Sequence, residues 1–413
     1  MEVRLLLKMI AAAHTLDAED AGPLDAPARV ESLLARAVAL RASDLYLEPA
    51  ADGVLVRFRL DGLLQTVDRL DPVAGRAAVM RLMVLSQLLT YQLDVPQEGR
   101  IAYEAAGGKL DLRLAVIPTT HGIRAAVRLP ADLEAVQQLE NLGLPANALR
   151  ALERFAGADD GMLLVTGPAG SGKTTTLYAL VAHIAARHPG LSIVTLEDPV
   201  ERHLPGVTQI EVSAHGQLTY ERALRSILRQ DPQVLMLGEV RDAATASLAV
   251  QAALSGHRLV ATLHAGSPGA AIARLLEMQI EPYQICSSVF GILSQRLLRR
   301  SAEGGYRGRQ PIAEWAAVDP PLRAAILARS DAQTMQSVIA SQPGYGSLRA
   351  CADALVAEGR TDRAEVDRVL GPAQAPALAR ADAGMRSDAT ASPAATLSRA
   401  ADGQPVTGDR KAT

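Results

Sequence analysis

The residues best suited to chemistry run from Gly167 to Thr174, GPAGSGKT, and fit the spacing G-x-x-x-x-G-K-[ST]. An apolar run, Met162 to Thr166, precedes them, and a helical pattern, Thr174 to Ala186, follows. That context suits a phosphate cradle. Gly167, Gly170 and Gly172 let the main chain curl so that its N–H groups face phosphate oxygens, with Pro168, Ala169 and Ser171 between them. The start of the helix, through Thr175, adds the positive end of its dipole. Lys173 is expected to reach the β- and γ-phosphates of a nucleoside triphosphate, and the Thr174 hydroxyl to ligate Mg²⁺.

Three further segments each end a predicted strand, where ligands of parallel sheets gather. Glu197 and Asp198, in VTLEDPVE, can polarise water or hold Mg²⁺ indirectly. An ordinary Asp-Pro turn with a helix-capping Asp198 remains the alternative. Glu239 follows Gly238 in VLMLGE. It comes one residue beyond the strand end, so it could reach past a metal to orient an attacking water. His264 ends LVATLH and could hydrogen-bond a γ-phosphate; a satisfied core histidine is the other reading.

The chain that must position these groups has 413 residues, 48% of them hydrophobic and 21% charged, so it can build a sizeable core. Aromatics are only 3% and the net charge is −3, which argues against base-stacking modules and against an overall basic field. Cys286 and Cys351 exclude a disulfide framework and a zinc site made of cysteines alone, and they fit a reducing compartment. No apolar run reaches the ~18 residues that span a bilayer. The start, MEVRLLLKMIAAAH, carries Lys8 inside its apolar stretch and acidic Glu2 in front, and is expected to be a short helix instead of a leader.

Residues 1–27 read as an N-terminal segment and linker. A helix with Val30, Leu33, Leu34 and Ala37 on one face opens a small α+β domain over 28–130. There, alternation and the Asp52-Gly53 and Asp61-Gly62 pairs predict a three-strand meander over about 44–67. A helix is expected over Val79–Leu89, and strands over Arg100–Glu104, Lys109–Ile117 and Ile123–Leu129, with a Gly107-Gly108 turn. After a connection over 131–145, short apolar strands alternate with helical segments, the grammar of a parallel α/β sheet. Strands are expected at Gly161–Thr166, Ser192–Leu196, Val234–Leu237 and Arg258–Leu263. The stretch from Gln284 to about 370 reads as helical, and 372–413 as a disordered tail rich in Ala, Pro, Ser, Thr and Asp.

GPAGSGKTTTLY, VTLEDPVE, DPQVLMLGEVRD and SGHRLVATLH follow one another in the order and at the spacing of the four boxes of the secretion traffic ATPases. These are the hexameric motors of type II secretion and type IV pilus assembly. ASDLYLEPAADGVLVRFRLDG and PQEGRIAYEAAGGKLDLRLAV resemble that family's N2 domain, and QRLLRR with GYRGRQPIAEW resembles its secretion and assembly branch. The resemblance implies a RecA-like P-loop ATPase domain over 146–371 with a mostly parallel sheet, helical toward its end, preceded by the N2-type domain. It implies ATP and Mg²⁺ as ligands, Glu239 as catalytic acid, and Glu197 and Asp198 in support. His264, with His257, would sense the γ-phosphate, and Arg100 and Arg113 of the N2 domain would reach the nucleotide. Surface salt bridges are the competing account of both arginines. The implied setting is a cytoplasmic homo-hexamer, held at the inner membrane by platform proteins, that drives pseudopilus assembly, or pilus assembly instead.

The sequence departs from that pattern in four places. Only SAEGG stands where assembly ATPases carry a four-cysteine zinc module, so no zinc is expected. Ala244 replaces an acid in RDAATA, AGSPG follows His264, and most of the family's first N-terminal domain is missing. Two readings from other classes remain: a nucleic-acid translocase, disfavoured by composition, and a nucleotide-binding scaffold without turnover.

Overall fold

The computed structural model describes residues 25–105, 108–130, 138–212 and 217–372. The expectations for 1–24, for Gly107, for 131–137 and for the tail from 373 lie outside those residues.

Helix α1 (Ala26–Ala39) starts where the Asp25 carboxylate accepts from Ala28 N, and it buries Val30, Leu33, Leu34 and Ala37. Strands β1 (Asp44–Ala50), β2 (Gly53–Leu60) and β3 (Leu63–Leu70) form the expected meander. Its second turn is Asp61-Gly62, with φ of 48° and 86°, the double positive-φ geometry that this pair favours. Helix α2 runs over Pro72–Leu85, seven residues earlier at its start than the apolar run Val79–Leu89 suggests. The start signal is local: Asp71 accepts from Val73 N and Ala74 N, and Pro72 takes the first helical position. Gly75 lets the helix settle on β2, because a Cβ there would lie 2.3 Å from Val54 Cγ2. Strands β4 (Gln97–Ala105), β5 (Gly108–Thr119) and β6 (Gly122–Arg128) complete an antiparallel sheet of order β3-β2-β1-β6-β5-β4. The two helices cover one face; the other stays polar.

After α3 (Ala146–Ala156), a second sheet begins with β7 (Gly161–Thr166), followed by α4 (Lys173–Arg187) and β8 (Ile193–Glu197). A short β9 (Thr208–Glu211), not legible in advance, leads to α5 (Tyr220–Ile227), β10 (Val234–Leu237), α6 (Ala243–Leu254) and β11 (Arg258–Leu263). Helices α7 (Pro268–Glu277) and α8 (Pro282–Ser288) precede β12 (Val289–Ala302) and β13 (Gly305–Ala317). The sheet order is β13-β12-β7-β11-β10-β8-β9, parallel throughout except for β13, with an apolar core on each face.

The β12–β13 hairpin corrects the helical expectation for 284–370. Within β12, between β7 and β13, Gly291 to Gln295 are all buried, polar and apolar alike, so the segment carries no period of two that separates a buried strand from a buried helix. A two-residue turn, Glu303-Gly304, closes the hairpin, with Gly304 at φ 83°. Helices α9 (Pro320–Leu327), α10 (Ala332–Ala340), α11 (Leu348–Ala357) and α12 (Arg363–Leu370) follow.

A buried ion cluster pins α12 to β12. Glu365 is 0% exposed and accepts from the guanidinium groups of Arg299 (2.6 and 2.8 Å) and Arg368 (2.6 and 2.7 Å). Burial alone would raise its pKa, but the hydrogen bonds from Arg368 and Arg299 outweigh that and lower it from 4.5 to about 2. Glu365→Ala leaves buried charge without its partner and is expected to cost about 3–5 kcal/mol, read as a lower urea midpoint. Because the folded pKa is depressed, the cluster's contribution is present above pH 4.5 and fades as pH falls toward about 2.

Candidate nucleotide site

The turn between β7 and α4 is built around glycines. Gly167 and Gly172 have φ of 149° and 88°. A Cβ on Gly167 would meet Gln295 O and Ser171 Oγ at 2.5 Å, and one on Gly172 would meet Gln295 Nε2 at 2.7 Å. Helix α4 has no side-chain cap, and its first main-chain hydrogen bond runs from Thr176 N to Gly172 O at 3.1 Å. The N–H groups of Gly172, Lys173, Thr174 and Thr175 therefore have no acceptor among the described residues, which is what an anion requires. Lys173 Nζ donates to Gly167 O (2.9 Å) and Pro168 O (3.0 Å), folding its charge over the loop. Burial lowers its pKa, Glu239 partly restores it, and Arg296 lowers it further. A bound triphosphate would supply the missing negative charge. The cradle thus fits a nucleotide, and half-buried Thr174 opens its helix with a hydroxyl of the kind that could ligate Mg²⁺.

Sequence reasoning did not single out Gln295. Its amide donates to Ser171 O at 2.8 Å and accepts from Thr176 Oγ1 at 2.9 Å, so β12 braces the loop from below. Arg296 beside it donates to Gly266 O at 2.8 Å, tying that brace to the turn after His264. The signal lay in QRLLRR, but a helical reading of that tract hid which side chains face the loop.

Glu239 is fixed from both neighbouring strands. Gly238 N donates to Leu196 O on β8 at 2.7 Å, and Val240 N to Thr262 O on β11 at 2.9 Å. Its carboxylate faces His264 Nε2 at 2.9 Å and Arg241 Nε at 2.8 Å, with 20% of the side chain exposed. His264 is half exposed and joins this acid, so it is not a satisfied core histidine. Asp198 follows β8 directly and lies 3.6 Å from Arg241; the next element is β9, so it caps no helix.

Glu197 has a different environment. It is 3% exposed, and its carboxylate accepts from Tyr178, from Thr195 Oγ1 (2.5 Å) and from Gln209 Nε2 (3.1 Å). Burial and this carboxylate together push the Tyr178 phenol up, so the tyrosine stays a donor. Glu197 organises β8, β9 and α4 more than it offers a free base. His257 precedes β11 at its amino end, with Nδ1 2.9 Å from Ala252 O, so about 20 Å of strand separates it from the phosphate end. That placement corrects its reading as a second γ-phosphate sensor.

Arg100 and Arg113 are direct register partners on β4 and β5, and Arg113 in turn faces Arg128 on β6. The three form a cationic row across the sheet's polar face. Arg100 lies 3.5 Å from Asp111 and 3.6 Å from Glu211 at the end of β9. Four strand spacings, about 19 Å, separate β9 from β7, so neither arginine touches the P-loop here.

Fold and loop together define a P-loop protein with the RecA-like build of ATPases, its parallel sheet preceded by a six-stranded antiparallel one. A family model described as "Type II/IV secretion system protein" matches residues 17–368. The chain belongs to this family of secretion ATPases. It is 38% identical over 374 residues to the type II secretion system protein HxcR of Pseudomonas aeruginosa, covering 86% of this chain and 79% of that one. With the type IV pilus assembly ATPase PilB of Thermus thermophilus it shares 34% identity over 359 residues, 78% of this chain and 40% of the other. Among solved structures, the Legionella pneumophila ATPase DotB shows the same fold, with TM-score 0.67, 21% identity, and coverage of 84% and 97%. The pilus retraction motor PilT with bound ADP aligns at TM-score 0.55 and 25% identity, covering 84% and 100%.

Proposed function

We propose that this protein hydrolyses ATP to drive pseudopilus assembly in type II secretion. The observation that carries the reading is the convergence of the P-loop with the Glu239–His264 pair at the ends of β10 and β11, beside β7. The relative named PilB makes type IV pilus assembly the second reading. Lys173 and the loop N–H groups bind the phosphates, Glu239 orients the attacking water, and His264 links that carboxylate to the phosphate. When bound, Mg²⁺ supplies charge neutralisation at the phosphate oxygens, held by Thr174 and, through water, by Asp198. The working form is a homo-hexamer at cytoplasmic inner-membrane platform proteins. Among the described residues no helix is long and apolar enough to cross a membrane. Phosphate release that needs ATP and Mg²⁺ and ignores added DNA supports this function; absence of turnover would leave a scaffold.

Residues 28–130 and 146–371 act in this account as two domains that close on the nucleotide. Arg100 exchanges Glu211 for phosphate, and Arg113 follows from the adjacent strand, within one subunit or between neighbours. Arg113→Ala in the full chain is expected to lower kcat about tenfold or more with little change in ATP affinity, since the charge is needed when phosphoryl transfer occurs. Unchanged kcat in the assembled protein would return both arginines to surface charges.

A further inference from the structure

A groove of ≈ 740 Å³ lies on the outer side of the second sheet, between α3, the end of β13 and the loop 342–345. It shares no lining residue with the P-loop, Glu239 or His264. Asn147 Nδ2 donates to Gly344 O at 3.2 Å, and the Gln342 amide pairs with Ala317 N and O, so its walls are fixed by hydrogen bonds. The groove collects donors without acceptors. Arg150 and Arg154 sit one helical turn apart on α3 and line it, and their guanidinium groups form no ion pair or hydrogen bond among the described residues. Trp315, the chain's single tryptophan, forms its wall, and its indole N–H takes no acceptor among the described residues. Phe290 packs behind that ring at 6.2 Å. Of the acids at the rim, Asp319 is committed to capping α9 through Leu322 N. Glu153, between the two arginines in sequence, opposes a dense polyanion but tolerates separate single charges.

Two guanidinium forks beside an aromatic and proline wall match carboxylates carried next to apolar side chains. We propose that this groove docks an extended acidic–apolar segment of a partner protein, with carboxylates on Arg150 and Arg154 and an apolar side chain against Trp315 and Pro343. This docking is independent of the nucleotide site.

Trp315 is a built-in reporter. The test titrates the full chain, in a Lys173→Ala background that weakens phosphate capture by the P-loop, with acetyl-Glu-Leu-Glu-Leu-amide, its Gln-for-Glu counterpart and inorganic pyrophosphate. Tryptophan emission is followed in parallel with calorimetry, which reads binding where emission is silent. The expected result is saturable binding of the Glu peptide, weakened at least about tenfold by the Gln replacement and by Arg150→Ala/Arg154→Ala, two exposed changes that leave the core intact. No saturable binding by either readout overturns the proposal. So does equal affinity in the double variant. Saturation by pyrophosphate with none by the Glu peptide would make the groove a small-anion site and overturn it as well.

Discussion

A Lys173→Ala chain is expected to release no measurable phosphate above background and to bind ATP more weakly. Lys173 seats its ammonium inside the loop, with Nζ on Gly167 O and Pro168 O, and burial already disfavours its charge in the absence of phosphate. Nucleotide binding returns a counter-charge to that ammonium, so the interaction strengthens as negative charge gathers on the γ-phosphate. Losing a charge-assisted contact that is strongest in the transition state lowers turnover by several orders of magnitude in phosphoryl-transfer sites, about 10³-fold or more. The vacated lysine also releases the two loop carbonyls, so affinity falls with rate. Steady-state phosphate release and a nucleotide-binding titration on the same preparation check both. Near-normal turnover would show that the loop is not the phosphate site.

The P-loop was legible because its signal is local. Glycines at fixed offsets, a lysine and a hydroxyl between a strand and a helix describe one turn of chain, and no distant residue is needed to recognise it. The four central strands were legible for a related reason: each is a short, fully buried apolar run bounded by turns, and three match their expected limits, Gly161–Thr166, Val234–Leu237 and Arg258–Leu263. What stayed hidden depends on tertiary partners. Gly291 to Gln295 of β12 are buried on both faces, so that stretch has no period of two. Gln295 matters only because β12 passes beneath the loop. Glu197 and Glu239 look alike in sequence, both being acids at strand ends. Tyr178, Thr195 and Gln209 close around the first, whereas the second is left facing His264 and Arg241. His257 and His264 likewise flank one strand, and only its direction tells which one reaches the phosphate end.

That contrast between the two acids sets the other large expected effect. Glu239→Gln preserves shape and one hydrogen-bonding oxygen but removes the negative charge that faces His264 and Arg241. The backbone at Gly238 and Val240 stays pinned to β8 and β11, so the amide should occupy the carboxylate's place. Lys173 loses a nearby negative charge that favours its ammonium form, yet its own contacts to the loop are untouched. ATP should therefore still bind. An amide polarises water poorly and cannot accept its proton, so kcat is expected to fall about 10²-fold or more, the usual scale for losing a base or water-positioning group. Glu197→Gln should behave differently, because its carboxylate serves Tyr178, Thr195 and Gln209, and the cost should appear in stability before it appears in kcat. Measuring kcat, ATP affinity and the urea midpoint for both variants separates the roles. If Glu239→Gln abolishes ATP binding together with turnover, Glu239 anchors the metal or the loop, and Glu197 becomes the acid to examine for water activation.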